Sequence, residues 1–296
     1  MIPFLKTETA ARVRLSDYDF PTVVAPHIPV LTRATTYRAA LQGKKIEIKF
    51  FTRGENCDAY AQAAGAVLAA LLPYDRCPKG RAFKADVFMS DCPKQMPEGP
   101  VFGRNHLNTG YAERCSAAPF VIFRKEEWLK VFIHECFHYL HLDADIADLR
   151  LPMFSIPTVV KVSEAFCEVW ARILNCYLVA ARTGKSARRL LAQERRYAVR
   201  NMVRVLAHMG LTFADLRTPK AAGYLEGTSM FAYVVLSAIL MNDPAEFERE
   251  FAGYQGTTAQ LLKLVEKQMV SPSFLAEVGK PVRKTRRMRM SVIKLF

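Results

Sequence analysis

The spacing of hydrophobic and polar positions changes near the middle of the chain. KKIEIKFF (44–51) is rich in β-branched and aromatic residues and predicts a strand. The Ala- and Leu-rich residues 56–72 predict a helix that stops before Pro73. FKADVFMSD (83–91) and APFVIF (118–123) predict two more strands, with a short extended piece over 107–113 between them. Prolines and glycines mark 92–105 as a long loop. From Lys125 the apolar residues fall at helical spacing: Trp128, Leu129, Val131, Phe132, Cys136, Tyr139 and Leu140. This helix is expected to run to Leu142, with Glu126 and Glu127 in its first turn complementing the dipole. A Pro-flanked loop (151–157) leads into helical patterns over 158–182, 186–209, 225–241, 244–252 and 257–269.

That order implies an α+β fold. An N-terminal lobe (44–143) holds a mixed sheet with helices, and a mostly helical lobe (144–278) follows, with a cleft expected between them. Residues 1–43, broken by Pro3, Pro21, Pro26 and Pro29, read as an extended arm, and 279–296 as a basic tail. The 296 residues are 51% hydrophobic and 24% charged, which is a globular balance. No apolar run reaches the ~18 residues of a membrane span. The N-terminus lacks the apolar core of a secretory signal, so a cytoplasmic location is expected. Seven cysteines, with no CxxC pair, read as reduced and mostly buried thiols.

The most specific pattern is His134-Glu135-Cys136-Phe137-His138, an HExxH motif on the expected amphipathic helix. Residues four apart project from one helix face, so both imidazoles can reach one Zn2+. Glu135 is then the general base toward a water activated by the metal. A catalytic zinc needs a third protein ligand, and His141, Asp143, Asp145, Glu164 and Glu168 are available. The pattern HExxHxxGxxH fails here, because positions 141 and 144 hold His141 and Ala144. Asp143 reads as a helix cap or as an acceptor for a histidine N–H.

The stretch SEAFCEVWARI (163–173) resembles the gluzincin metallopeptidases, in which a glutamate on the helix after HExxH completes the zinc site. The resemblance implies a zincin-like fold, Glu164 as third ligand and Glu168 as a neighbouring acceptor. If the alignment shifts by one turn, Glu168 is the ligand instead. It also implies hydrolysis of a peptide bond in a peptide or protein substrate. Asn108, Thr109 and Gly110, within HLNTGYAERC, lie where such enzymes place a substrate-binding edge strand, although a hairpin turn fits equally well. Tyr224 and Tyr233 are both placed to offer the oxyanion donor that gluzincins take from their helical lobe, and the sequence does not choose between them. The run FRKEEWLKVFIHE, with SEAFCE and GTSMFAYVVL, is also similar to HExxH proteins of large nucleocytoplasmic DNA viruses. That likeness implies cytoplasmic replication or packaging in a virion, and names no substrate.

The formal net charge of +14 favours anionic surfaces. Residues 279–296 carry no acid, and Arg283, Lys284, Arg286, Arg287 and Arg289 read as an anion-binding set for nucleic acid or an acidic partner. The arginines of 186–206 read as a solvated helix face. A second reading therefore stands beside the enzyme: a structural or nucleic-acid-associated protein with a zincin fold and a non-catalytic zinc.

Overall fold

Ile46, Ile48 and Phe50 are buried while Glu47 and Lys49 between them are partly exposed, the alternation of a strand packed on one face. A computed structural model of the chain describes residues 2–283 and 285–295. In chain order the strands are β1 (Leu5–Ala10), β2 (Arg33–Leu41), β3 (Lys44–Thr52), β4 (Phe83–Phe88), β5 (Phe102–Gly103), β6 (Gly110–Tyr111), β7 (Phe120–Ile122) and β8 (Glu226–Gly227). The helices are α1 (Asp58–Leu71), α2 (Arg104–Leu107), α3 (Trp128–Tyr139), α4 (Val162–Thr183), α5 (Ala187–His208), α6 (Ser237–Leu240), α7 (Pro244–Glu250), α8 (Thr258–Met269) and α9 (Pro272–Val278). The fold is mixed α/β and divides into two compact units. The first comprises the chain up to Lys94 together with Asn108–Leu142, and the second Gln95–Leu107 together with the chain from Asp143 onward.

The first unit is built on a six-stranded mixed sheet in the order β1-β2-β3-β4-β7-β6. β1, β2 and β3 run antiparallel, β3, β4 and β7 parallel, and β6 antiparallel to β7. Leu41 pairs with Lys44, so β2 and β3 are joined by a two-residue turn. Its residues, Gln42 and Gly43, both have positive φ, the geometry that matches the twist of a tight hairpin. On one face Trp128 of α3 packs against Phe50, and Phe132 against Phe83 and Phe120. On the other face Phe51 stacks on Phe88 at 4.2 Å, beneath Phe20, Val24, Ile28 and Leu31.

The expected arm over 1–43 is therefore corrected. β1 and β2 belong to the sheet, and the proline-rich stretch between them covers its second face. Glu126 and Glu127 do not serve the helix dipole as expected. Glu126 accepts from the Lys94 backbone N–H at 2.9 Å, and Glu127 pairs with the Lys94 ammonium at 2.9 Å. That pair is almost fully buried. The expectation of uniformly reduced cysteines is corrected as well: Cys77 and Cys115 form a disulfide, a bond that persists in oxidising surroundings. The other five cysteines are free and buried.

In the second unit α4 and α5 are joined through Gly184, at φ +69°, and Ser186, whose hydroxyl caps α5. Arg172 of α4 is buried, donating from Nε to Glu168 at 3.1 Å and from Nη1 to Glu194 of α5 at 2.8 Å. Glu194 also accepts from the Ser291 hydroxyl at 3.0 Å and the Val292 N–H at 3.1 Å. Met288, Met290, Ser291 and Ile293 are buried, so the segment expected to be a loose tail is docked on α4 and α5. The expected helix over 225–241 is β8, then a π-helical turn at Phe231–Leu236, then α6.

Glu194→Ala leaves the buried Arg172 guanidinium short of a partner and frees two donors of the C-terminal segment. The expected cost is about 3–5 kcal/mol of unfolding free energy, read from urea denaturation. Early proteolytic trimming near Ser291 should accompany it.

Candidate metal centre

Helix α3 sets the two histidines of the motif one turn apart. Their Nε2 atoms lie 3.2 Å from each other. Two nitrogens bound at ~2.05 Å to one tetrahedral ion would be separated by about 3.3 Å, so the pair has the bite of a zinc site. His134 is buried and His138 half-buried. His134 and His138 belong to the first unit and Glu164 to the second. Glu164 stands in the first turn of α4 and is half-buried. Asp143, the first residue of the second unit's larger segment, is buried. His141 lies in the turn after α3 at φ +56°.

Glu135 is buried against the edge of the sheet. A Cβ built on Gly110 would fall 2.7 Å from the Val121 carbonyl oxygen and 3.0 Å from Glu135 Oε1. Only a glycine lets β6 approach the Glu135 carboxylate this closely. Of the residues read as a substrate-binding strand, Gly110 is the first residue of β6, opposite Ile122. The Thr109 carbonyl accepts from Phe123 N at 2.8 Å, and Asn108 precedes it half-buried. β6 is the last strand in the sheet order, so its outer edge has no strand partner among the described residues.

Helix α3 is held at both ends. At its start Lys94 binds Glu126 and Glu127, and Glu127 takes a left-handed φ of +62°. Burial pushes the Lys94 ammonium below its ordinary pKa, and the adjacent Glu127 carboxylate opposes that shift. At the far end the Tyr139 carbonyl accepts from Cys115 N at 3.2 Å and from Arg81 Nη2 at 3.1 Å. The Arg81 guanidinium also lies over the Tyr139 ring at 4.2 Å. No local pattern signals these clamps, because Lys94, Arg81 and Cys115 are remote from the motif along the chain.

The two tyrosines separate clearly. Tyr224 is buried and donates its hydroxyl to Glu226 at 2.7 Å. Glu226 also accepts from Phe231 N at 2.7 Å, at the start of the π-helical turn. Burial raises the pKa of both Tyr224 and Glu226. Tyr224 is thus a brace within the second unit, and its reading as an oxyanion donor is withdrawn. Tyr233 is half-buried in a π-helical turn whose other residues are all buried. Glu168, read as an acceptor for a histidine, is committed to Arg172.

The basic residues of the C-terminal segment are also distributed unequally. Arg283, Arg286 and Arg287 are exposed, and Arg289 is half-buried with its carbonyl accepting from the Tyr197 hydroxyl at 2.9 Å. Lys284 lies outside the described residues.

Gly110→Ala should force β6 and the Glu135 side chain apart. The expected penalty is about 1–3 kcal/mol, measured as a drop in thermal midpoint and in denaturant stability. An unchanged stability would show that β6 yields freely and that its position against Glu135 is not enforced.

Comparison with known proteins adds no family to this geometry: no family model, no curated protein and no solved structure matches the chain.

Proposed function

We propose that the chain is a zinc-dependent hydrolase of the metallopeptidase type, in which His134, His138 and Glu164 hold the ion and Glu135 is the general base. The observation that carries this reading is the 3.2 Å separation of the two histidine Nε2 atoms on one face of α3. A pair of imidazoles at that distance suits a shared cation, and the Glu of HExxH has no use in a purely structural site. Zinc, when bound, supplies a Lewis acid that lets a water lose its proton near neutral pH.

The remaining work falls to the protein. Glu135 takes the proton of the attacking water on its carboxylate and delivers it to the leaving amine. Its burial beside Gly110 keeps bulk water from competing for the same proton. The outer edge of β6 pairs with the extended backbone of a peptide substrate, adding a strand to the sheet and laying a carbonyl beside Glu135. Tyr233 donates its hydroxyl to the developing oxyanion. Asp143 accepts from the His138 ring and fixes its tautomer. A mixed sheet with an antiparallel edge strand beside the HExxH helix also supports a zincin-like reading of the first unit.

The first test is zinc per chain by elemental mass spectrometry, with hydrolysis of a mixed peptide library. Wild type should carry about one zinc, Glu164→Ala should lose it, and Glu135→Gln should keep it while hydrolysis falls about 10²–10⁴-fold. Wild type without zinc after incubation with the metal would sink the proposal. Zinc bound with no cleavage, and no difference in Glu135→Gln, would instead favour the structural reading.

A further inference from the structure

Within the second unit, the docked C-terminal segment and helix α5 line a half-open pocket of about 800 Å³. Its size falls in the range of sites that bury a small organic ligand, roughly 300–1,000 Å³. Met96, Pro97 and Val282 supply apolar wall, and Arg204, Arg283 and Arg286 supply three guanidinium groups. Glu98 is the one carboxylate among the lining residues. This site lies outside the metal-binding group and uses none of its residues.

We propose that the cavity binds a nucleotide carrying two or more phosphates. Guanidinium forks pair with phosphate oxygens two bonds at a time, and three arginines lining one pocket suit a polyphosphate better than a single carboxylate. Arg204 is the best placed of them. Its Nη2 is engaged by Asn201, while its Nε is buried and meets no acceptor among the described residues. An acceptor brought by a ligand relieves that cost. The apolar wall takes the base, and Glu98 offers an acceptor to ribose hydroxyls, as carboxylates do in dinucleotide sites.

The walls are pre-formed. Met96 N donates to the Arg286 carbonyl at 2.7 Å, and Gln95 and Arg287 form an antiparallel bridge beside it. His208 donates from Nε2 to the Gly99 carbonyl at 3.0 Å, tying α5 to the same loop. A polymer is a poorer fit than a free nucleotide. A polynucleotide needs a basic track, yet two arginines further back along α5 are occupied: Arg200 by Glu277 at 3.1 Å and Arg195 by Asn242 at 2.7 Å.

Isothermal titration of the full-length protein with ATP, ADP, pyrophosphate and adenosine tests this. Saturable one-site binding of ATP and ADP is expected, weaker binding of pyrophosphate, and none of adenosine. Arg204→Gln and Arg286→Gln should each weaken ADP about tenfold or more, since hydrogen bonds to charged groups are among the stronger ones. Zinc content and the ligand-free melting temperature should not change. Arg286 is exposed, so its variant keeps the test valid if Arg204→Gln folds poorly. No saturation by about 1 mM nucleotide would overturn the proposal. So would affinity indifferent to both substitutions, or binding by an oligonucleotide that the mononucleotides do not compete away.

Discussion

Helix α3 carries both histidines and the carboxylate of the motif, and each of its ends is fixed by a different kind of interaction. At the start, the buried Lys94 ammonium and backbone hold Glu127 and Glu126. A buried ion pair adds little net stability, but it fixes position, because every alternative leaves a charge without water. It also holds Glu127 in a left-handed conformation that an unrestrained residue avoids. At the end, Arg81 and Cys115 N–H take the Tyr139 carbonyl, one of the acceptors that a helix terminus leaves open. The Cys77–Cys115 disulfide joins the two loops that supply these donors. With both ends set, the histidine spacing follows from helix geometry, and the Glu135 carboxylate is delivered to the Gly110 edge of the sheet.

The parts of the fold that could be read from the sequence are those with a strong period. β3 and α1 lie within two residues of their expected ends, while β4 and α3 each stop three residues short of theirs, at Phe88 and Tyr139. β1 and β2 gave no such signal. All six residues of β1 are exposed, so it is held by backbone pairing to β2 and carries no apolar stripe. β2 buries four residues in a row, Ala34 to Tyr37, because its two faces are covered by different layers. The prolines that suggested an extended arm shape the cover over Phe51 and Phe88. The run FAYVVLSAIL was legible as helix, but the widening of its first turns was not, since burial on all sides erases the periodicity that would report it.

The C-terminal segment was misread for a different reason. Its charge dominated, although the alternation Arg287, Met288, Arg289, Met290 is the pattern of an extended chain with one apolar side. Both methionines are buried, and Arg287 faces out. Charge density alone therefore does not mark a free tail when every second residue can be buried. The net positive charge is also less available than it looks, since Arg124 and Arg172 are among the largest fully buried side chains.

The two glutamates at the start of α4 pose the last question, because Glu164 and Glu168 share a helix face and both could compete for a cation. The sequence left them open, and what separates them is Arg172. Its Nε engages Glu168, four residues earlier on the same helix, and its Nη1 engages Glu194, 22 residues later. The second carboxylate needs donors of its own, and Ser291 and Val292 of the docked C-terminal segment provide them. Arg172 thereby keeps the Glu168 carboxylate buried and paired. The setting of Glu168 on α4 is tied, through one guanidinium, to residues near the far end of the chain.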